Sequence, residues 1–165
     1  MSSPNIVSAG EEIEITVTLN GETKTLAVPA HQVLADLLRE QLGLKGGNVS
    51  CASGVCGSCT ILADGEPVAA CAQFAYQMDG KTLTTVEGLG ENGQLSAVQK
   101  AFSEHSAFQC GYCTPGMILL ATALLEQNPA PTRDEIRTWM SANICRCTGY
   151  EMIIEAVELA AGESA

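Results

Sequence analysis

Aromatic side chains are scarce, with one Trp, three Tyr and three Phe in 165 residues. Hydrophobic residues still reach 46%, so a core can form, but not one built on large rings. Two small domains whose cores are assisted by bound metal explain the shortage better than one large core. Basic residues are scarce too: 8 Lys and Arg face 19 Asp and Glu, for a formal charge of −11. That excludes a nucleic-acid surface, which needs clustered Lys and Arg, and favours a basic face on a partner. No run of about 18 apolar residues occurs, so no membrane span is expected. The start, Met1-Ser-Ser-Pro-Asn5, lacks a basic region and an apolar stretch, so no secretory leader is expected. A cytoplasmic protein follows, with export to the periplasm on a partner chain left open.

Cysteine, by contrast, is plentiful. In a chain with no expected leader, eight cysteines point away from disulfides and toward metal. They fall into two groups of four, Cys51, Cys56, Cys59 and Cys71, then Cys110, Cys113, Cys145 and Cys147, with none left over. The first group has the spacing C-x4-C-x2-C…C, the plant-type signature of a [2Fe–2S] cluster. Two irons bridged by two sulfides need four thiolates converging on a short loop. The backbone must also bring N–H groups to the sulfurs, where they stabilise negative charge. Ala52, Ser53, Gly54, Gly57 and Ser58 leave room for that approach, and the glycines can take positive φ.

Along the chain, Ile13, Ile15, Val17 and Leu19 alternate with polar residues as a half-buried strand does. Glu11, Glu12 and Glu14 form its solvated edge. Asn20-Gly21 signals a hairpin turn, and residues 23–28 return as a second strand with Leu26 and Val28 on one face. Val33, Leu34, Leu37, Leu38 and Leu42 recur at helical spacing, and Gly43 stops that helix. A hairpin followed by a crossing helix begins a β-grasp fold. Thr60–Ala63, Asp64-Gly65 and Glu66–Cys71 predict a second hairpin with Cys71 at a strand end, and Lys81–Val86 a last strand. Gly88, Gly90 and Gly93 mark a boundary within residues 87–94.

The second half is predicted to be helical. A helix spans about Ser96 to His105 with Val98, Ala101 and Phe102 inward. Thr114 is the expected N-cap of the next helix, with Pro115 at its first position. Met117, Leu120, Ala121, Leu124 and Leu125 form one apolar stripe, ended by Asn128-Pro129. Thr132 and Glu135 form a capping box for a short helix with Ile136, Trp139 and Met140 inward. A last helix carries Ile153, Ile154, Val157 and Ala160. The thiols sit in the loops, at Cys110-Gly-Tyr-Cys113 and Asn143-Ile-Cys145-Arg-Cys147.

Spacing alone leaves this second group open. Four thiolates suit structural zinc as well as a cluster. A disulfide pair, or a redox dithiol, is the weaker reading, because no strand precedes Cys110 as the dithiol motif expects. His31 and His105, near helix ends, fit surface or capping roles. Met117 and Trp139 fit core packing. Arg146, between two thiols, fits either local charge compensation or an interface.

Two long stretches carry a resemblance. Gln109-Cys-Gly-Tyr-Cys-Thr-Pro-Gly-Met117 and Asn143-Ile-Cys-Arg-Cys-Thr-Gly-Tyr150 resemble the second-cluster motifs of molybdenum hydroxylases, the xanthine dehydrogenase and aldehyde oxidoreductase family. Thr84–Leu89 and Leu37–Leu44 are similar to that family as well, so the likeness runs from about residue 13 to 160. The length resembles the separate small iron–sulfur subunit of the bacterial three-subunit enzymes, such as carbon monoxide dehydrogenase. Two departures stand out: Ser50 where most relatives have glycine before the first cysteine, and Ser96-Ala97 where many have His-Pro.

The resemblance implies an α+β fold. Residues 1–87 would form a β-grasp, plant-type ferredoxin-like [2Fe–2S] domain, and residues 88–165 a four-helix-bundle [2Fe–2S] domain. It implies an electron-transfer subunit with no catalytic residue of its own. Its partners would be a large subunit with a molybdenum–pterin cofactor, in the cytosine dinucleotide form, and a medium subunit with FAD, in a dimer of heterotrimers. Cys110, Cys113, Cys145 and Cys147 would hold the cluster nearest the pterin, with Gln109 and Cys147 touching it. Cys51, Cys56, Cys59 and Cys71 would hold the cluster facing flavin. The rival is a free ferredoxin-like carrier with structural zinc in its helical half.

Overall fold

The computed structural model describes residues 10–90 and 92–163. The chain opens with an antiparallel hairpin, β1 (Glu12–Leu19) and β2 (Glu22–Pro29), with Ile15 opposite Leu26 and Val17 opposite Lys24. Ile15, Val17 and Leu19 are buried while Glu12, Glu14 and Thr16 face solvent, the period of two that a one-sided strand requires. Asn20 and Gly21 both have positive φ, at 50° and 84°. That is the primed turn whose twist suits a hairpin, and Asn and Gly tolerate it best.

The predicted helix over 33–42 forms, but not as one α-helix. Only Leu34–Asp36, α1, is α-helical, and Leu37–Gln41 winds wider as a π-turn. There the Leu42 N–H reaches the Leu37 carbonyl at 3.1 Å. The wider winding lets Leu42 and Leu44 still pack on the sheet core beside Leu34, Leu37 and Leu38.

The second hairpin is β3 (Thr60–Ala63) and β4 (Glu66–Ala69). It stops two residues short of the expected Cys71, which lies in a 3₁₀ turn over Ala70–Ala72. The Cys71 N–H is directed at the Cys59 sulfur instead of a strand ladder, at 3.4 Å. The last strand, β5 (Thr82–Thr84), is also shorter than expected. Asn20 explains this: its Oδ1 accepts from the Thr85 N–H at 2.9 Å and its Nδ2 donates to Thr85 Oγ1 at 3.0 Å. Thr85 is thus drawn off the ladder, and Val86–Gly88 turns as 3₁₀ helix. Among the described residues the sheet has five strands in the order β2-β1-β5-β3-β4, with β5 parallel to β1 and the other pairs antiparallel.

Four helices follow: α2 (Ala97–Glu104), α3 (Thr114–Gln127), α4 (Arg133–Met140) and α5 (Glu151–Glu163). Ser96 caps α2 by accepting from the Gln99 N–H, while Gln99 accepts from the Ser96 N–H. Thr132 and Glu135 do the same for α4, as the sequence predicts. The cap of α3 differs from expectation. Cys113, not Thr114, is its N-cap, and Pro115 falls one position later. The tight turn at Gly111 (φ 80°) already brings the Thr114 N–H to the Gly111 carbonyl at 3.2 Å, so helical geometry begins at Cys113.

Helix α3 is also apolar on two faces rather than one stripe. Met117, Leu120, Ala121 and Leu124 join the helical core with Phe102, Ile136, Met140, Ile153 and Val157. Leu119 and Ala123 face the other way, onto Leu62 of β3, with Val86, Leu89 and Trp139 packed around them. Burying one such leucine contributes about 1.5–3 kcal/mol. This small cluster therefore fastens the sheet half to the helical half. Trp139 is half-buried in both clusters and donates its indole N–H to the Leu120 carbonyl at 2.9 Å. Among the described residues no helix is long and apolar enough to cross a membrane.

Candidate metal centres

The loop between the π-turn and β3 carries three of the first four thiols. Cys51 is exposed while Cys56 and Cys59 are buried, and Cys71 returns beside them from the 3₁₀ turn. Backbone amides point at sulfur throughout. The Ser53 N–H donates to Cys51 Sγ at 3.4 Å, Gly54 N–H to Cys71 Sγ at 3.3 Å, and Cys71 N–H to Cys59 Sγ at 3.4 Å. Gly54 and Gly57 adopt φ of 76° and 72°, the left-handed region glycine enters freely. Hydrogen bonds from the Ser53 hydroxyl and from the Ser53, Cys56 and Val55 amides hold the Cys51 thiol down to about 5. Burial pushes Cys59 up to about 11. The loop thus presents at its mouth a thiol that ionises readily and, at Cys59, one whose burial opposes ionisation.

The second four thiols come from two separated segments. Cys110 and Cys113 precede α3, while Cys145 and Cys147 lie between α4 and α5. The Sγ atoms of Cys110 and Cys147 are 3.6 Å apart. Burial, then the neighbouring Cys145 thiol, pushes Cys113 up to about 12. The sulfurs therefore meet in two pairs, 110 with 147 and 113 with 145. All eight cysteines are free thiols, which sets the disulfide reading aside.

Side chains hold this second arrangement together. The Tyr150 hydroxyl accepts from the Cys145 N–H and donates to the Asn143 carbonyl, each at 3.0 Å. Thr148 approaches Cys145 Sγ with its hydroxyl at 3.2 Å and its N–H at 3.5 Å. Burial raises the Cys145 thiol, but these Thr148 contacts and the Cys147 amide outweigh it and leave it below its ordinary value.

The two groups of thiols share a wall. The Ile144 N–H donates to the Cys56 carbonyl at 2.9 Å, joining the residue before Cys145 to a first-loop cysteine. Asn48 Nδ2 donates to the Tyr112 carbonyl at 2.8 Å, and the Tyr112 hydroxyl donates to the Val49 carbonyl at 2.8 Å. Asn143, buried, lies 3.3 Å from Thr60 Oγ1. The fit there is close: a Cβ on Gly57 would lie 1.6 Å from Asn143 Oδ1, and one on Gly116 2.4 Å from the Gly57 carbonyl.

Gln109 and Arg146 are exposed beside Cys110 and between Cys145 and Cys147. His31 and His105 are exposed as well, His105 at the C-cap of α2, and Met117 is core. The sequence reading missed Asn48, Tyr112 and Thr60 as structural parts of the site. Nothing in their spacing flags them, because the partners across the wall lie 63 to 83 positions away and become neighbours only through the fold.

The donor set fits a [2Fe–2S] group on each side. Each site offers four thiols and amide or hydroxyl donors aimed at sulfur. Thr114 Oγ1 and Asn143 Nδ2, close in sequence to Cys113 and Cys145, are buried polar atoms without a hydrogen-bond partner among the described residues.

Comparison with known proteins agrees. Residues 17–99 match the 2Fe-2S iron-sulfur cluster binding domain family, and residues 85–158 match the [2Fe-2S] binding domain family. The second match displaces the zinc reading of the helical half. The nicotine 6-hydroxylase small subunit of Paenarthrobacter nicotinovorans is 49% identical over 156 residues, covering 94% of each chain. The nicotinate dehydrogenase small FeS subunit of Eubacterium barkeri is 48% identical, covering 90% of this chain and 95% of that one. The crystal structure of quinoline 2-oxidoreductase from Pseudomonas putida 86 contains a chain that superposes with a TM-score of 0.90 at 47% identity, over 94% of this chain and 96% of that one. Two thiol sites built for [2Fe–2S] groups, carried on a chain that matches these proteins along nearly its whole length, make it a member of the small iron–sulfur subunits of the molybdenum hydroxylase family.

Proposed function

We propose that this chain is the electron-transfer subunit of a three-subunit molybdenum hydroxylase. It would conduct electrons one at a time from a molybdenum–pterin subunit to an FAD subunit. When bound, a [2Fe–2S] cluster supplies one-electron storage between two-electron cofactors. Cys51, Cys56, Cys59 and Cys71 hold one cluster. Cys110, Cys113, Cys145 and Cys147 would hold the other. The first set belongs to a β-grasp domain over residues 1–87, the second to a four-helix domain over 88–165. The pterin subunit docks on the helical side, where Gln109 and Cys147 are exposed. The flavin subunit docks at Cys51, the exposed thiol of the first loop. The pterin takes its cytosine dinucleotide form, and the whole is a cytoplasmic dimer of heterotrimers.

The observation that carries this reading is the hydrogen bond from the Ile144 N–H to the Cys56 carbonyl at 2.9 Å. Cys145 is covalently next to the donor, and Cys56 itself carries the acceptor. Two sites so joined suit serial transfer. Two unrelated metal sites would need no such link.

The test is a pair of variants in the purified complex. Cys147→Ser should stop electrons leaving molybdenum. Cys56→Ser should leave substrate reduction of molybdenum intact and stop reduction of flavin. If both variants turned over normally with a flavin-side acceptor, the serial route would be wrong.

A further inference from the structure

The Asn48–Val49 segment and Tyr112 clasp each other reciprocally. Asn48 Nδ2 donates to the Tyr112 carbonyl, and the Tyr112 hydroxyl donates to the Val49 carbonyl, both at 2.8 Å. Each partner stands close to a thiol of its own loop. Val49 is two residues before Cys51, and Tyr112 is directly before Cys113. Neither hydrogen bond is needed to close its own loop. The first loop is already held by amide-to-sulfur bonds, and the turn over residues 110–113 by the Thr114 N–H donating to the Gly111 carbonyl at 3.2 Å. Tyr112 is nonetheless 46% exposed, a large ring kept at the surface rather than in the core. What the clasp adds is a second link between loops, through residues 63 and 64 positions apart, beside the one made by Ile144 and Cys56.

We infer that Tyr112 and Asn48 are reciprocal positioning residues through which the environment of each thiol site is set partly by the other. This rests on the two-cluster reading above. The Tyr112 hydroxyl fixes the Val49 carbonyl and hence the peptide plane leading into Ser50, the residue before Cys51. The Asn48 amide fixes the carbonyl of the peptide whose N–H belongs to Cys113. A peptide plane beside a ligating sulfur is a dipole at short range. Turning it changes how well added negative charge is tolerated there. The clasp therefore carries influence across: a change in the helical half alters the sheet-half centre, and the reverse.

The experiment is a redox titration of the intact complex followed by electron paramagnetic resonance, with iron and sulfide counted on the same samples. Tyr112→Phe keeps the ring and removes only the hydroxyl. Asn48→Ala removes only the amide. Tyr112→Phe should shift the midpoint of the first-loop centre, and Asn48→Ala that of the second-loop centre. Each shift should correspond to about a 2- to 10-fold change in the reduction equilibrium, the range one lost hydrogen bond supplies. Iron content should stay at the wild-type level in both. If each variant moved only the centre of its own loop, or neither moved any, the inference would be overturned. A cross shift from one variant alone would overturn the reciprocity. An iron count showing one cluster per chain would instead overturn the two-cluster reading beneath it.

Discussion

The two thiol sites reach similar donor sets by opposite means. The first is local: three cysteines within nine residues, small side chains between them, and backbone amides that bend to meet sulfur. The second is assembled: two short segments are brought together by α3 and α4, and the Tyr150 and Thr148 side chains join the amides in holding it. A local site depends on the conformations its glycines allow. An assembled site depends on the packing of the whole helical half. The lesson is that the second site should fail first when packing is loosened, and that both should fail together only where they share a wall.

The largest effect should come from that wall. Gly57 has a φ of 72° and abuts Asn143. Gly57→Ala forces both a strained backbone and a displaced Asn143, at a combined cost of about 2–5 kcal/mol. Urea unfolding should show the loss, and iron content should fall at both centres. Iron retained at one centre would mean that the wall is not shared.

Next is Tyr150→Phe. It leaves the Cys145 N–H and the Asn143 carbonyl without their common partner, a cost of about 1–3 kcal/mol. The signal of the second centre should weaken while that of the first persists. Equal loss of both would break the contrast between local and assembled sites.

The smallest effect concerns pH and the entry to the first loop. Burial raises the Glu87 carboxyl, but hydrogen bonds from Thr85 and the Gly46 N–H, the latter at 2.7 Å, outweigh it and hold the group below its ordinary value. A lowered folded value contributes stability that is complete above the unfolded value, near 4.5, and lost as pH falls through the folded one. Thermal midpoints should therefore decline below about pH 4.5, and Glu87→Gln should flatten part of that decline. An unchanged slope in the variant would remove Glu87 from the loop's support.

The same contrast explains what was legible in the sequence. The hairpin alternation of Ile15, Val17 and Leu19, the Asn20-Gly21 turn and the capping box at Thr132 are short-range features, and short-range physics writes them into neighbouring residues. The spacing of the first three thiols, Cys51, Cys56 and Cys59, is legible for the same reason. The zinc alternative survived in the helical half because an assembled site leaves only spacing behind. Three of the misreadings share one cause. Thr85 left its strand because of Asn20, and Cys71 left its strand because of the Cys59 sulfur. Leu119 and Ala123 face Leu62, so a helix expected to show one stripe shows two. Each is decided by a partner far along the chain.

The most direct measurement is an iron, sulfide and zinc analysis of the purified chain, joined to its spectrum after full dithionite reduction. Two [2Fe–2S] clusters predict about four irons and four sulfides per chain and two distinguishable paramagnetic centres. About two irons with one zinc, or a single kind of centre once every iron is counted, would contradict them.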